Sequence, residues 1–125
     1  MTTILTIDDS ASMRQMVAFC LESAGHDVLQ ACDGVEGLEV AKQHAVDAFI
    51  VDVNMPRMDG ITLVRELRAL QQYSHTPMLM LTTETSAERK QQGRDAGATG
   101  WMVKPFSPEK LLATLRRVVP ESANG

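Results

Sequence analysis

The sequence predicts a doubly wound (βα)5 sandwich: α/β, one five-stranded parallel sheet with helices on both faces. Three observations carry this. Short apolar or β-branched runs alternate five times with stretches of helical period. Each connection between successive runs is long enough for a right-handed crossover. The third run, Phe49-Ile50-Val51, is apolar at successive positions, as a strand buried on both faces must be.

Thr3 to Ile7 is the first strand, interrupted by Asp8-Asp9-Ser10. A helical stripe follows at Met13, Met16, Val17, Cys20, Leu21 and Ala24, and Gly25 stops it. Asp27 to Ala31 is the second strand. Asp33-Gly34-Val35-Glu36 then reads as a capping box opening a helix to about His44, with Leu38, Ala41 and Ala45 inward. After the third strand, Asp52 enters a turn closed by Pro56 and Gly60, and a helix from about Gly60 to Leu70 buries Leu63, Val64, Leu67 and Leu70. Met78 to Leu81 is the fourth strand, ending in Thr82-Thr83. Thr85-Ser86-Ala87-Glu88 again reads as a capping box, but its helix is almost all polar, with Gly93 inside it, and should be the least firmly packed. Gly100 to Val103 is the fifth strand, running into Lys104-Pro105. Ser107-Pro108-Glu109 caps a last helix burying Leu111, Leu112, Leu115 and Val118 before Pro120.

The chain has 125 residues and a formal net charge of −4, enough for one domain with a real core and too little for a catalytic plus a regulatory domain. No run of Lys or Arg suggests a nucleic-acid footprint. No apolar run approaches a membrane span, and Met1-Thr2-Thr3 enters a strand without a basic leader, so a soluble cytoplasmic protein without membrane insertion is expected. Cys20 and Cys32 are too far apart for a redox motif, and both are expected as buried thiols.

Every strand but the second ends in a polar group at the same edge: Asp8 and Asp9, Asp52, Thr82 and Lys104. Any one of these is ordinary where a strand gives way to a turn, and Asp52 alone would serve equally well as a turn former. Four strand ends agreeing, at the edge where open α/β sheets bind ligands, point to a site. Three carboxylates about 4 Å apart repel by roughly 4 kcal/mol per pair at an effective dielectric near 20. A hard divalent cation relieves this, and Mg2+ suits carboxylates, a carbonyl and waters. With Lys104 as a second, fixed cation and the Thr82 hydroxyl as a donor, Asp52 could attack phosphorus as an aspartyl nucleophile. Trp101 lies near enough to sense a movement of Thr82.

On the Asp8-Asp9 pair, Asp52-Val53-Asn54-Met55-Pro56 with Asp59-Gly60, Thr82 and Lys104-Pro105, the chain resembles response-regulator receiver domains. Within that family it is similar to the single-domain chemotaxis regulators called CheY. The resemblance runs from Thr3 to about Val119 and implies a flavodoxin-like sheet of strand order 2-1-3-4-5. It implies that Asp52 accepts a phosphoryl group from a phosphohistidine on a sensor histidine kinase. Asp9, Asp52 and the Asn54 carbonyl would ligate Mg2+, with Asp8 helping through water. Thr82 and Lys104 would bind the phosphoryl oxygens, and the Lys104-Pro105 bond would be cis. The family usually has Tyr or Phe where this chain has Trp101, a position that switches between exposed and buried states; the bulk of Trp puts full burial in doubt.

A receiver domain over 1–120 is expected, with a disordered tail at 121–125 and no attached output domain. The expected protein is a monomer that promotes its own phosphorylation and dephosphorylation. Its expected partners are a chemotaxis histidine kinase upstream and the flagellar motor switch downstream. A regulator in a phosphorelay, or a phosphate sink, would carry the same residues. Thr83, Glu84 and Pro105 border the site, and Asn54 and Glu84 are candidates to tune hydrolysis. A Mg2+-dependent phosphatase with an aspartyl nucleophile needs an acid where Asn54 stands. An FMN carrier on the same fold would need a small-residue phosphate loop where Asp8 and Asp9 stand.

Overall fold

The computed structural model of the chain describes residues 2–119. Its strands are β1 (Thr3–Ile7), β2 (Asp27–Ala31), β3 (Ala48–Val51), β4 (Met78–Thr82) and β5 (Gly100–Val103). The helices between and after them are α1 (Ala11–Ser23), α2 (Gly34–Gln43), α3 (Gly60–Arg68), α4 (Ala87–Ala96) and α5 (Pro108–Val118), and a short 3-10 turn spans Gln71–Tyr73. All five strands are parallel, in the order β2-β1-β3-β4-β5. The flavodoxin-like doubly wound sandwich is therefore the architecture of this chain.

Alternation along the central strands divides the core into two layers. Leu5, Ile7, Phe49, Val51, Met78 and Met80 face α2, α3 and α4, packing with Ala41, Leu63, Val64, Leu67 and Ala96. Ile4, Ile50, Leu79 and Leu81 face α1 and α5, packing with Val17, Leu21, Leu111 and Leu115. Each helix has a side-chain N-cap that accepts a backbone N–H three residues on: Ser10, Asp33, Asp59, Ser86 and Ser107.

Several local expectations are corrected. Met16 is 46% exposed because it lies on the flank of the stripe Val17, Ala18, Cys20 and Leu21, through which α1 meets the sheet and α5. Ala24 and Ala45 are exposed because α1 and α2 end before them; past the extended cap His44, Val46 takes the inward place. Leu38, Leu70, Leu112 and Val118 are half-buried against the core, and α3 stops at Arg68. The α4 cap is Ser86 rather than Thr85, its hydroxyl accepting from the Arg89 N–H at 3.1 Å. Cys20 is buried, but Cys32 is exposed, one residue beyond the last paired residue of the edge strand β2. The stop at Pro120 and the tail 121–125 lie outside the described residues. Among the described residues no helix is long and apolar enough to cross a membrane.

Candidate functional site

Backbone ladders bring the strand ends together. The Asp52 N–H donates to the Ile7 carbonyl at 2.9 Å, the Asp8 N–H to Ala31 at 3.1 Å and the Lys104 N–H to Thr82 at 2.8 Å. Asp8, Asp52 and Lys104 thus each stand one residue past the strand that carries them, and Thr82 is the last residue of β4. Behind Asp52, the loop to α3 folds back so that the Gly60 N–H donates to the Val53 carbonyl at 2.8 Å. A β-carbon at Gly60 would collide with the Asp52 carbonyl, so only glycine permits this return.

One carboxylate oxygen from each of Asp8, Asp9 and Asp52 lies within 4.8 Å of the others. Asp8 and Asp52 are buried and Asp9 is exposed, so the trio opens to solvent on the Asp9 side. Lys104 reaches into it with Nζ 2.8 Å from Asp8 Oδ2 and 3.8 Å from Asp52 Oδ1. Asp8 is further held by the Ser10 N–H on its Oδ1, and its carbonyl accepts Arg14 Nη1 at 2.6 Å. Asp52 is left with the looser contact to Lys104. Burial, then the charge of Asp8 and to a smaller degree Asp9, push its carboxyl up to about 6, against the opposing pull of Lys104 and the Thr82 hydroxyl. A buried carboxylate beside another, incompletely neutralised by one lysine, fits a hard divalent cation held by oxygen donors.

Thr82 is fully buried at the end of β4, and its Oγ1 accepts the Glu84 N–H at 3.1 Å. Glu84 is half-buried; its carboxyl is held below the usual range by the Ser86 backbone N–H, with further hydrogen bonds from the Ser86 and Asn54 side chains. Asn54 and Glu84 are therefore neighbours across the mouth formed by two loops. Thr83 and Pro105 are exposed, and the Lys104-Pro105 bond is cis. Trp101, the second residue of β5, is half-buried, and its indole N–H donates to the Glu84 carbonyl at 3.1 Å. Beside it a cleft of about 450 Å3 is lined by Lys90, Arg94, Ala98, Thr99, Gly100 and Trp101.

Sequence reasoning missed two supports of this site. Arg57, in the left-handed region at φ 68°, binds the buried Asp33 carboxylate with both Nε and Nη2 at 2.8 Å, tying the loop after Asp52 to the start of α2. Arg14 holds the Asp8 carbonyl. Nothing in the local pattern singles out either arginine.

The response regulator receiver domain family matches residues 4–116. The Vibrio cholerae chemotaxis protein CheY4 is 54% identical and superposes with a TM-score of 0.92 over 94% of this chain and 98% of that one. The receiver domain of the Pseudomonas aeruginosa sensor histidine kinase PA1611, determined with a magnesium ion coordinated in its active-site cleft, is 26% identical with a TM-score of 0.87, covering 94% of this chain and 97% of its own. RpaA of Synechocystis, a DNA-binding dual master transcriptional regulator, is 39% identical over 119 residues; these are 95% of this chain and 49% of RpaA, so the chain spans about half of that relative. A family match from one end of the sheet to the other, on a fold shared at this identity, makes the chain a response-regulator receiver domain, the regulatory phosphoacceptor unit of two-component systems.

Proposed function

We propose that Asp52 is the phosphoacceptor of a signalling switch. The observation that carries this is the gathering of Asp8, Asp9 and Asp52 around the Lys104 ammonium, with the buried Thr82 at the neighbouring strand end. An Asp52 carboxylate oxygen attacks the phosphorus of a phosphohistidine on a sensor histidine kinase; the P–N bond breaks and the imidazole leaves with its electron pair. Lys104 leaves its 2.8 Å partner Asp8 for a phosphoryl oxygen, and the Thr82 hydroxyl donates to another. Receiver domains typically bind Mg2+ at an acidic pocket; here Asp9, Asp52 and the Asn54 carbonyl would hold it, with Asp8 through water. The ion would neutralise carboxylates and incoming phosphoryl oxygens together.

The same residues suit the domain to promote both its own phosphorylation and its dephosphorylation, with Asn54 and Glu84 bordering the attacking water. Thr82 moving toward the phosphoryl group carries Glu84, and through the Glu84 carbonyl it reaches Trp101 and the α4–β5 cleft. That cleft, rimmed by Lys90 and Arg94 with an aromatic wall, suits an acidic segment of a partner. The likeness to a chemotaxis protein supports the flagellar motor switch as that partner and a chemotaxis kinase as the donor, with the domain acting as a cytoplasmic monomer over residues 1–120. Service in a phosphorelay or as a phosphate sink uses the same site and differs only in the partner.

Trp101 is the single tryptophan of the chain, so its emission reports on this coupling. Adding Mg2+ and then beryllofluoride, a phosphoryl mimic, is expected to change the emission in the wild type and leave Asp52→Asn unchanged. An equal response in Asp52→Asn, or no calorimetric binding of the mimic to the wild type, would overturn the acceptor assignment. Tighter binding of a motor switch protein to the beryllofluoride form than to the free form supports the chemotaxis role; equal affinity for both forms removes it.

A further inference from the structure

α4 has almost no apolar stripe, and the residue at its one deeply buried turn is a glycine. Gly93 and Ala96 are the residues it buries. Glycine in a helix interior costs roughly 1 kcal/mol relative to alanine, and alanine is the obvious residue for a buried helix position. The reason for Gly93 is found across the gap to β5. A β-carbon built there would lie 2.8 Å from Cζ3 and 3.2 Å from Cε3 of Trp101, inside van der Waals contact with the six-membered ring of the indole.

The ring has no easy retreat from that contact. Its other edge is tied through Nε1–H to the Glu84 carbonyl at 3.1 Å, and the Glu84 N–H is in turn bonded to Thr82 Oγ1 at 3.1 Å. Moving the ring away from α4 stretches the first of these bonds. Moving α4 away from the ring is resisted at its C-terminal end, where Arg68 holds the Gly97 carbonyl with Nε at 3.0 Å and Nη2 at 2.8 Å. The indole is thus set between a notch in α4 and a carbonyl one residue pair removed from Thr82.

We propose that Gly93 is a positioning residue for the aromatic switch: the missing side chain is the seat that lets an indole, rather than a smaller ring, rest inward with its N–H on Glu84. The proposal deepens the reading of Trp101 as the reporter of Asp52 and rests on it for its regulatory meaning. A methyl group at residue 93 closes the seat, turns the ring toward the cleft lined by Lys90 and Arg94, and releases the Glu84 carbonyl. The linkage from Thr82 to the signalling face is then broken on the side away from the acceptor.

The test is Gly93→Ala, read by the emission and acrylamide quenching of Trp101 in the metal-free protein, with stability followed by circular dichroism in denaturant. Expected are a red-shifted emission, quenching raised several-fold over wild type, and no further change with Mg2+ and beryllofluoride. Stability should fall with Trp101 in place and rise when Gly93→Ala is combined with Trp101→Leu, because without the ring the helix gains from alanine. Wild-type emission and quenching in Gly93→Ala, or the same stability change in both backgrounds, would overturn the seat. Calorimetric titration of each protein with Mg2+ and beryllofluoride keeps the two ideas apart. Binding that persists with an unmoved ring sinks the seat alone, whereas absence of binding in the wild type sinks the acceptor reading and leaves the ring's resting position to be judged by its emission.

Discussion

α3 and α4 lie side by side on the same face of the sheet and are held there by different means. α3 buries Gly60, Ile61, Leu63, Val64 and Leu67, while α4 buries Gly93 and Ala96. The first is fixed by burial, which is non-directional and summed over many contacts. The second is held by a few directed contacts: the Ser86 cap, the indole against Gly93, the Arg68 fork on Gly97 and the 3.8 Å pair of Arg89 with Asp59. The difference follows the site. In the proposed switch, α3 begins at the loop that carries the acceptor Asp52 and Asn54, whose geometry would have to persist, whereas α4 follows Thr82 and Glu84, which would have to move. A helix held at points can be released by breaking one of them.

The largest expected effect tests the burial side of the comparison. Leu67→Ala empties a fully buried site in α3 and should cost about 2–5 kcal/mol, whereas Arg94→Ala on the exposed face of α4 should stay within about 0.5 kcal/mol. Denaturant unfolding of the two variants measures both. Losses of similar size would mean that α4 carries packing energy its burial does not account for.

A second effect runs in the opposite direction, because the fixed side of the site also carries its least favourable charge. The Asp52 carboxyl is raised in the fold to about 6 from an ordinary value of 3.8, so the folded chain holds this proton more tightly than the unfolded one. Stability from this group is therefore present at low pH and lost as pH rises from about 4 to about 6, up to about 3 kcal/mol for a shift of this size. Asp52→Asn in the absence of Mg2+ should raise the unfolding free energy at pH 7 by about 1–3 kcal/mol and flatten its pH dependence over that interval. An unchanged pH profile would show that Asp52 is already neutralised by Lys104.

The fixed half of the molecule was legible in the sequence. Of the movable half, the loose packing of α4 and the nearness of Trp101 to Thr82 were legible, but the contacts that hold them were not. Phe49-Ile50-Val51 followed by Asp52 is a local signal, as are the caps Asp33 and Ser107, and the strand ends Asp8, Thr82 and Lys104 could be placed on one edge once the alternation of elements was recognised. Burial patterns could be read to within a turn; Met16, Ala24 and Ala45 went astray where the stripe slipped to its flank or the helix stopped short, and Cys32 where an edge strand ended. Most of the contacts that hold α4 and the loops around Asp52 join residues far apart in the chain. Arg68 and Gly97 are 29 residues apart, Trp101 and Glu84 are 17, and Asp33 and Arg57 are 24, and none follows a helical or strand period. Gly93 read as a flaw in a helix because its reason lies in the next strand.

The smallest effect isolates the anchor of α4 from its packing. Arg68 donates to the carbonyls of Gly97 and Tyr73 and approaches Thr99 Oγ1, so it joins the end of α3 to the left-handed cap of α4. Arg68→Met keeps much of the side-chain stem but removes the fork, and because these bonds are only part-buried the cost should be about 0.5–1.5 kcal/mol. Global stability alone would not distinguish this from any lost hydrogen bond, but amide hydrogen exchange would. If α4 is held at points, the amides of its last turn, from Gly93 to Ala98, should exchange faster in the variant by more than the global loss explains. Those of Leu63 to Leu67 in α3 should slow or quicken only in step with global stability. Equal acceleration in both helices would mean that they open as one unit, and the release of α4 that the proposed switch requires would then have to carry α3, and the loop after Asp52, with it.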